Sequence, residues 1–188
     1  MKVKTLNKNQ FEASCKQLFD QITPKPDLVI GISNGGAYVL DEFKKCSTDT
    51  LFQTVCVQRP TTTSFKTLSW VRVLLKLLPY KILNRLRITE HKKRIIKSNN
   101  QLVKCDIDFS GFSTIINSVL ILDDALDTGN TLKSVIQTIQ EQATNVTIKT
   151  GVIVWTNSVS QVQPDYFVFK DELVRFHWSL DYKTNIHG

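Results

Sequence analysis

Residues 118 to 124, SVLILDD, form a nearly unbroken apolar run that ends in two acids. A strand with one wet face would alternate apolar and polar residues. A continuous run is therefore the mark of a central parallel strand covered on both faces, with helices above and below the sheet. Beyond the acids, Ala125 to Thr131 contain the glycine turn DTGN. Leu132, Val135, Ile136 and Ile139 then recur at helical spacing, so strand passes into helix within a few residues. The same order occurs earlier: DLVIGIS (27 to 33) closes in NGG, and AYVLDEFKKC reads as a helix. LFQTVCVQ (51 to 58) is rich in β-formers and stops before Arg59 and Pro60. VTIKTGVIVW (146 to 155) predicts another strand, and YFVF and ELVRFHW two more. At the amino end, Phe11, Cys15, Leu18, Phe19 and Ile22 share a helical face that Pro24 and Pro26 close. The expected fold is α/β, with a parallel sheet between helices. Ligands of such sheets collect beyond the carboxyl ends of the strands, where both SNGG and DDALDTGNT fall.

At 188 residues, one domain spanning the chain is expected, interrupted by an insert over about residues 60 to 105 and closed by a smaller segment from about 156 to 188. The insert holds the basicity. The chain carries a net charge of +7, yet Lys66 to Lys104 contain eleven Lys or Arg against the single acid Glu90, so this stretch carries +10 and the remainder −3. Trp70, Leu74, Leu77 and Leu78 share one helical stripe, Pro79 breaks it, and Ile82, Leu83 and Leu86 begin a second. Lys76, Lys81, Arg85 and Arg87 interrupt the apolar character too often for a membrane span, so two short basic amphipathic helices are expected. They form a cap on the domain or on a second subunit. A membrane-surface helix, a nucleic-acid patch or a partner-protein site within 66 to 104 are the alternatives. Cys15, Cys46, Cys56 and Cys105 show no paired C-x-x-C spacing, and the amino terminus is not signal-like, which favours reduced thiols, a cytoplasmic location and no structural zinc. His91, His177 and His187 are too scattered for a metal cluster and read as surface or packing residues.

The turn after the central strand poses a chemical question. A helix start carries free amides that attract phosphates, yet Asp123, Asp124 and Asp127 stand beside it. A ligand with two chemical faces resolves the conflict. Thr128 and Thr131 hydroxyls and the helix amides suit a phosphate monoester, and Gly129 lets the backbone come close. The acids at the strand end only accept hydrogen bonds, and a vicinal diol supplies the donors. A sugar 5-phosphate has both.

VLILDDALDTGNT (119 to 131) resembles the phosphoribosyl-pyrophosphate signature of the type I phosphoribosyltransferases, and the 6-oxopurine (hypoxanthine, guanine, xanthine) branch in particular. The resemblance implies a Rossmann-like core with a small hood, the hood being the carboxyl-terminal segment. It also implies that Asp123 and Asp124 hold the ribose hydroxyls and Mg²⁺, and that the turn of Ala125, Asp127, Thr128, Gly129, Asn130, Thr131 and Leu132 holds the 5-phosphate. Asp127 stands where the purine-using members place the proton acceptor for the base. GISNGG (31 to 36) is similar to the family's pyrophosphate loop, here Ser33, Asn34, Gly35 and Gly36, although many members have Arg or Lys where this chain has Asn34. QPDYFVFKDELVRFHWSLDY (163 to 182) is similar to the hood of the 6-oxopurine enzymes. Leu173 occupies the place of the base-stacking aromatic, Phe176 and Trp178 are the substitutes on offer, and no lysine near 152 to 158 meets a 6-oxo group. Asp181 in SLDY is the counterpart of a metal-contacting acid. Arg59, Ser64 and Lys66 lie where the family's flexible loop begins.

The resemblance implies Mg²⁺-dependent transfer of phosphoribose from phosphoribosyl pyrophosphate (PRPP) to a nitrogenous acceptor, a purine base first of all, by a homo-oligomer, with a dimer expected. Two other readings follow from the departures. One is a PRPP-binding regulator without transferase activity, which uses the basic insert to bind nucleic acid or a partner protein. The other is a transferase with a pyrimidine or lipid-linked acceptor.

Overall fold

The structure is a computed structural model that describes residues 1–58, 75–96, 104–107, 109, 115–143 and 145–184. Its centre is a five-stranded parallel sheet built from β2 (Leu28–Ile32), β3 (Leu51–Val55), β6 (Ser118–Leu126), β7 (Thr147–Trp155) and β8 (Tyr166–Lys170), in the order β3-β2-β6-β7-β8. The apolar runs predict this arrangement. Every residue of β2 is buried, as is the stretch from Val119 to Asp123 in β6. Each fully buried Val, Leu or Ile stabilises the fold by about 1.5–3 kcal/mol. Register between β2 and β6 is pinned at the amino-terminal edge, where Asp27 Oδ2 accepts from the amides of Asn117 and Ser118 and from the Ser118 hydroxyl, each at 2.9 Å. Asp165 repeats the device between β7 and β8, accepting from Thr150 N and Oγ1 at 2.9 Å each.

Two cores flank the sheet. On one side lie α1 (Lys8–Phe19) and α2 (Gly35–Lys44), with Phe11, Cys15, Leu18, Val39 and Leu40 against Val29, Leu120 and Leu122. A reciprocal capping box starts α1: Asn7 Oδ1 accepts from Gln10 N at 2.9 Å, and Gln10 Oε1 accepts from Asn7 N at 3.0 Å. Ile22, expected on this helix, lies beyond its end. On the other side α4 (Asn130–Gln142) buries Leu132, Val135 and Ile139 against Ile30, Ile121 and Val152.

Two small sheets lie outside this frame. β4 (Val57–Gln58) pairs antiparallel with β5 (Lys104–Cys105), so the run expected as one strand over 51 to 58 is two. β1 (Lys2–Thr5) pairs parallel with β9 (Glu172–Arg175) and brings the amino terminus to the carboxyl-terminal segment. The last expected strand, ELVRFHW, is shorter than its pattern, because Phe176 to Trp178 leave β9 and pack on Phe11 and Tyr38.

The insert differs from its apolar pattern in a way that matters for the site. Leu75 to Leu77 are helical, and after Pro79 the helix α3 runs over Tyr80–Ile96. Trp70 and Leu74 lie outside the described residues. On α3, Leu83 is buried, but Ile82 and Leu86 are 44% and 51% exposed. The face turned inward carries Tyr80, Asn84, Arg87 and His91, and Arg94 continues it at the far end. Among the described residues no helix is long and apolar enough to cross a membrane.

Candidate active site

The carboxyl ends of β2 and β6 lie side by side, which brings the two glycine turns to one place. Ser33 donates its amide to Val55 O at 2.9 Å, the Ser33–Asn34 peptide is cis, and Gly35 opens α2. Glycine is required here by close approach. A Cβ on Gly35 would overlap the Asp124 carboxyl group, and one on Gly36 would overlap the Leu122 carbonyl oxygen. The SNGG backbone thus lies directly on the acids that end the central strand. Both loops expected to bind PRPP face one another.

Asp123 is 8% exposed, and its Oδ1 accepts from Asp124 N at 2.8 Å. Burial pushes the Asp124 carboxyl above its ordinary range, and the negative Asp127 adds to the shift. Such a carboxyl gains from a ligand that brings hydroxyl donors or positive charge. Next along the chain, Gly129 adopts φ +84° as the N-cap of α4, and a Cβ there would stand 3.0 Å from Val162 N. A side chain at this position meets both the left-handed backbone penalty and a crowded neighbour. The N-cap Gly129 has no side chain to cap the first turn of α4, and the amide end of a helix attracts an anion. Thr128 O accepts from Gln161 N at 2.9 Å, so the loop after β7 fastens this turn.

Asp127 is surrounded by donors. Thr156 Oγ1 lies 2.7 Å from its Oδ1, His91 Nδ1 lies 3.4 Å from the same oxygen, and Arg94 Nη1 lies 3.8 Å from Oδ2. Burial raises the Asp127 carboxyl, but the hydrogen bonds from His91 and Thr156 and the charges of His91 and Arg94 outweigh it, holding the group below the usual carboxylate range. Neither His91 nor Arg94 is marked by an apolar pattern or a known motif. The signal that could have found them is the spacing of Tyr80, Asn84, Arg87, His91 and Arg94, polar residues at alternating steps of four and three along one helix face.

The hood residues are placed otherwise than expected. Leu173 and Phe176 are 6% and 4% exposed and belong to the core, so neither presents a face to a base. Trp178 stacks on Phe176 at 4.6 Å and on Tyr38 at 4.2 Å, between ring centroids. These rings satisfy one another. Asp181 is not free for a metal in this structure: Oδ1 pairs with Arg87 Nη2 at 2.6 Å and Oδ2 with Arg175 Nε at 2.8 Å. Arg59, Ser64 and Lys66 lie outside the described residues.

A parallel sheet with two amide-bearing turns and an acid pair at one end defines the α/β proteins that bind a ligand at their strand ends. The chain belongs to the phosphoribosyltransferase family, because the phosphoribosyl transferase domain matches residues 82–185, more than half of its 188 residues. It is accordingly a phosphoribosyltransferase. No curated protein matches the chain by sequence. Among solved structures, it is similar to the xanthine-guanine-hypoxanthine phosphoribosyltransferase of Helicobacter pylori, with 13% identity, 95% of each chain covered and a TM-score of 0.65. The purine phosphoribosyltransferase of Pyrococcus horikoshii is similar over 100% of both chains, with 21% identity and a TM-score of 0.63. A hypoxanthine phosphoribosyltransferase of Staphylococcus aureus covers 85% of this chain and 72% of its own, with 20% identity and a TM-score of 0.52. At these identities the likeness is one of fold.

Proposed function

We propose that the protein transfers the 5-phosphoribosyl group of PRPP, in the presence of Mg²⁺, to a ring nitrogen of a purine base and releases pyrophosphate. The observation that supports this reading is the meeting of Gly35 with the Asp124 carboxyl, which brings the SNGG loop against the acid pair a few residues before the start of α4. Asp123 and Asp124 take the ribose hydroxyls, the turn of residues 128 to 132 takes the 5-phosphate, and the amides of the SNGG loop take the departing pyrophosphate. Bond breaking at the anomeric carbon produces a cation-like sugar and an anionic leaving group. The protein aligns the partners and supplies dipoles and charges fixed in place beforehand. With Asn34 in place of a cationic residue, the loop acts on the pyrophosphate through its backbone.

The acids suit Mg²⁺. No group of three or more His, Cys, Asp or Glu able to hold a metal exists among the described residues. Mg²⁺ does not require one, since it is commonly held by one or two carboxylates and completed by substrate oxygens and water. Asp123 and Asp124 would hold the ion, which would supply Lewis-acid neutralisation of the leaving group. A purine acceptor is favoured because the similar structures of H. pylori, P. horikoshii and S. aureus are named for purine-base transfer. The proton shed by the acceptor is received in the Asp127 cluster.

The test mixes purified protein, Mg²⁺ and PRPP with adenine, hypoxanthine, guanine, xanthine, uracil and orotate, and follows nucleotide and pyrophosphate together. One purine base is expected to give equimolar products, with Asp127→Asn slower by about a hundredfold. PRPP binding without product on any base would instead indicate a ligand-sensing protein, and product only on a pyrimidine would overturn the acceptor assignment.

A further inference from the structure

Asp127 is poorly placed to be the proton acceptor by itself. Its Oδ1 already receives Thr156 and His91, and Arg94 stands at Oδ2. An acid in that state is a steady anion. It is suited to orient and stabilise a cation more than to take up a proton.

The ring beside it has the complementary properties. His91 is 5% exposed, and its Nε2 is buried without a hydrogen-bond partner among the described residues. Buried polar atoms are nearly always paired, so an unpaired one on the ring that contacts Asp127 calls for a partner from outside the protein. The ring's protonation pattern follows from its neighbour. A carboxylate only accepts, so in the neutral ring Nδ1 carries the hydrogen toward Asp127, and Nε2 is left with a lone pair. Imidazole is intrinsically more basic than a carboxylate by about two and a half pKa units. Among the described residues, the other charged groups around the pair include Arg94 on the same helix, which contacts Asp127, Glu90, which pairs with Arg94 at 3.7 Å, and Asp124, which feels the Asp127 charge.

We propose that His91 and Asp127 form a proton-accepting dyad, in which His91 Nε2 takes the proton from the acceptor nitrogen and Asp127 orients the ring and stabilises the imidazolium. The inference rests on the transferase reading and names the atom at which its proton step occurs. The acceptor nitrogen forms its bond to the anomeric carbon while the carbon–oxygen bond to pyrophosphate breaks. The bonding electrons leave with pyrophosphate, and the N–H proton passes to Nε2. Helix α3 is thereby a wall of the active site. Its polar stripe delivers His91 while Tyr80, Asn84 and Arg87 anchor it to the hood.

The experiment compares wild type, His91→Ala and His91→Gln for nucleotide formation, with PRPP affinity measured by calorimetry as the check on folding. Both variants are expected to bind PRPP within about threefold of wild type and to transfer about a hundredfold more slowly. Substituted imidazoles added to His91→Ala should restore turnover in proportion to their base strength, an effect that a purely structural histidine would not give. Variants that turn over within a few-fold of wild type, or rescue that ignores base strength, would overturn the dyad and leave the transferase reading standing. Absence of nucleotide from the wild type on every base would remove the transferase reading and the dyad with it.

Discussion

Arg175 is 1% exposed and bonded on three sides: Nε to Asp181 Oδ2 at 2.8 Å, Nη1 to Thr5 Oγ1 at 2.9 Å and Nη2 to Asn84 Oδ1 at 2.9 Å. The Tyr80 ring lies 4.5 Å from its guanidinium carbon. A buried guanidinium persists only with such partners, since its desolvation is offset by charge and geometry together. Burial pushes the Asp181 carboxyl up, but the charges of Arg87 and Arg175 and their hydrogen bonds outweigh it and hold the group below its ordinary range. A carboxyl whose native value is depressed adds stability above its unfolded value, near pH 4, and that stability is lost as pH falls through the native value. Asp181→Asn is therefore expected to cost about 3 kcal/mol at neutral pH in urea unfolding, by leaving two arginines uncompensated. The gap from wild type should shrink below about pH 4. A gap unchanged by acid would show that the Asp181 charge contributes nothing. Resemblance marked Asp181 as a residue of interest but not its two arginine partners, which come from α3 and β9, distant in the chain.

Among the elements, the strands of the central sheet were legible from apolar runs and from β-forming residues, and DTGN marked the start of α4 through its left-handed glycine. β1 was not legible. KVKT is a polar four-residue stretch held by pairing with β9, and nothing local announces that partner. Helix α3 was read on the wrong face for a physical reason. Apolar periodicity finds helices that dock by the hydrophobic effect, whereas α3 fully buries Leu83 alone of its apolar residues and docks otherwise through hydrogen bonds and ion pairs to Asp127, Val174 and Asp181. The faces can be told apart by mutation. Ile82→Glu and Leu86→Glu should alter stability by no more than about 0.5 kcal/mol. Arg87→Leu should cost about 2–3 kcal/mol, since the Val174 carbonyl loses its donor and Asp181 loses a charge partner. The reverse order in thermal or urea unfolding would mean that the apolar edge is the one buried.

For the molecule as a whole, two consequences of fold place the site. Parallel strands put the turns after β2 and β6 at the same end, and the adjacency of these strands brings the SNGG backbone against Asp124. The insert then closes the far side by setting His91 and Arg94 on Asp127. The proposed ribose-phosphate half was readable because a glycine turn and an acid pair have few other uses at a strand end. The residues around Asp127 were not, because His91 and Arg94 come from a helix that only the tertiary fold brings near. On the proposed function, one pocket grips a pentose by its hydroxyls at Asp123 and Asp124 and by its phosphate at residues 128 to 132. Amide NMR spectra recorded while ribose 5-phosphate is added to isotope-labelled protein test it most directly. The largest shifts should fall on residues 123 to 132, with smaller ones at 33 to 36. Shifts confined to the basic stretch 76 to 97, or none at saturating ligand, would contradict it.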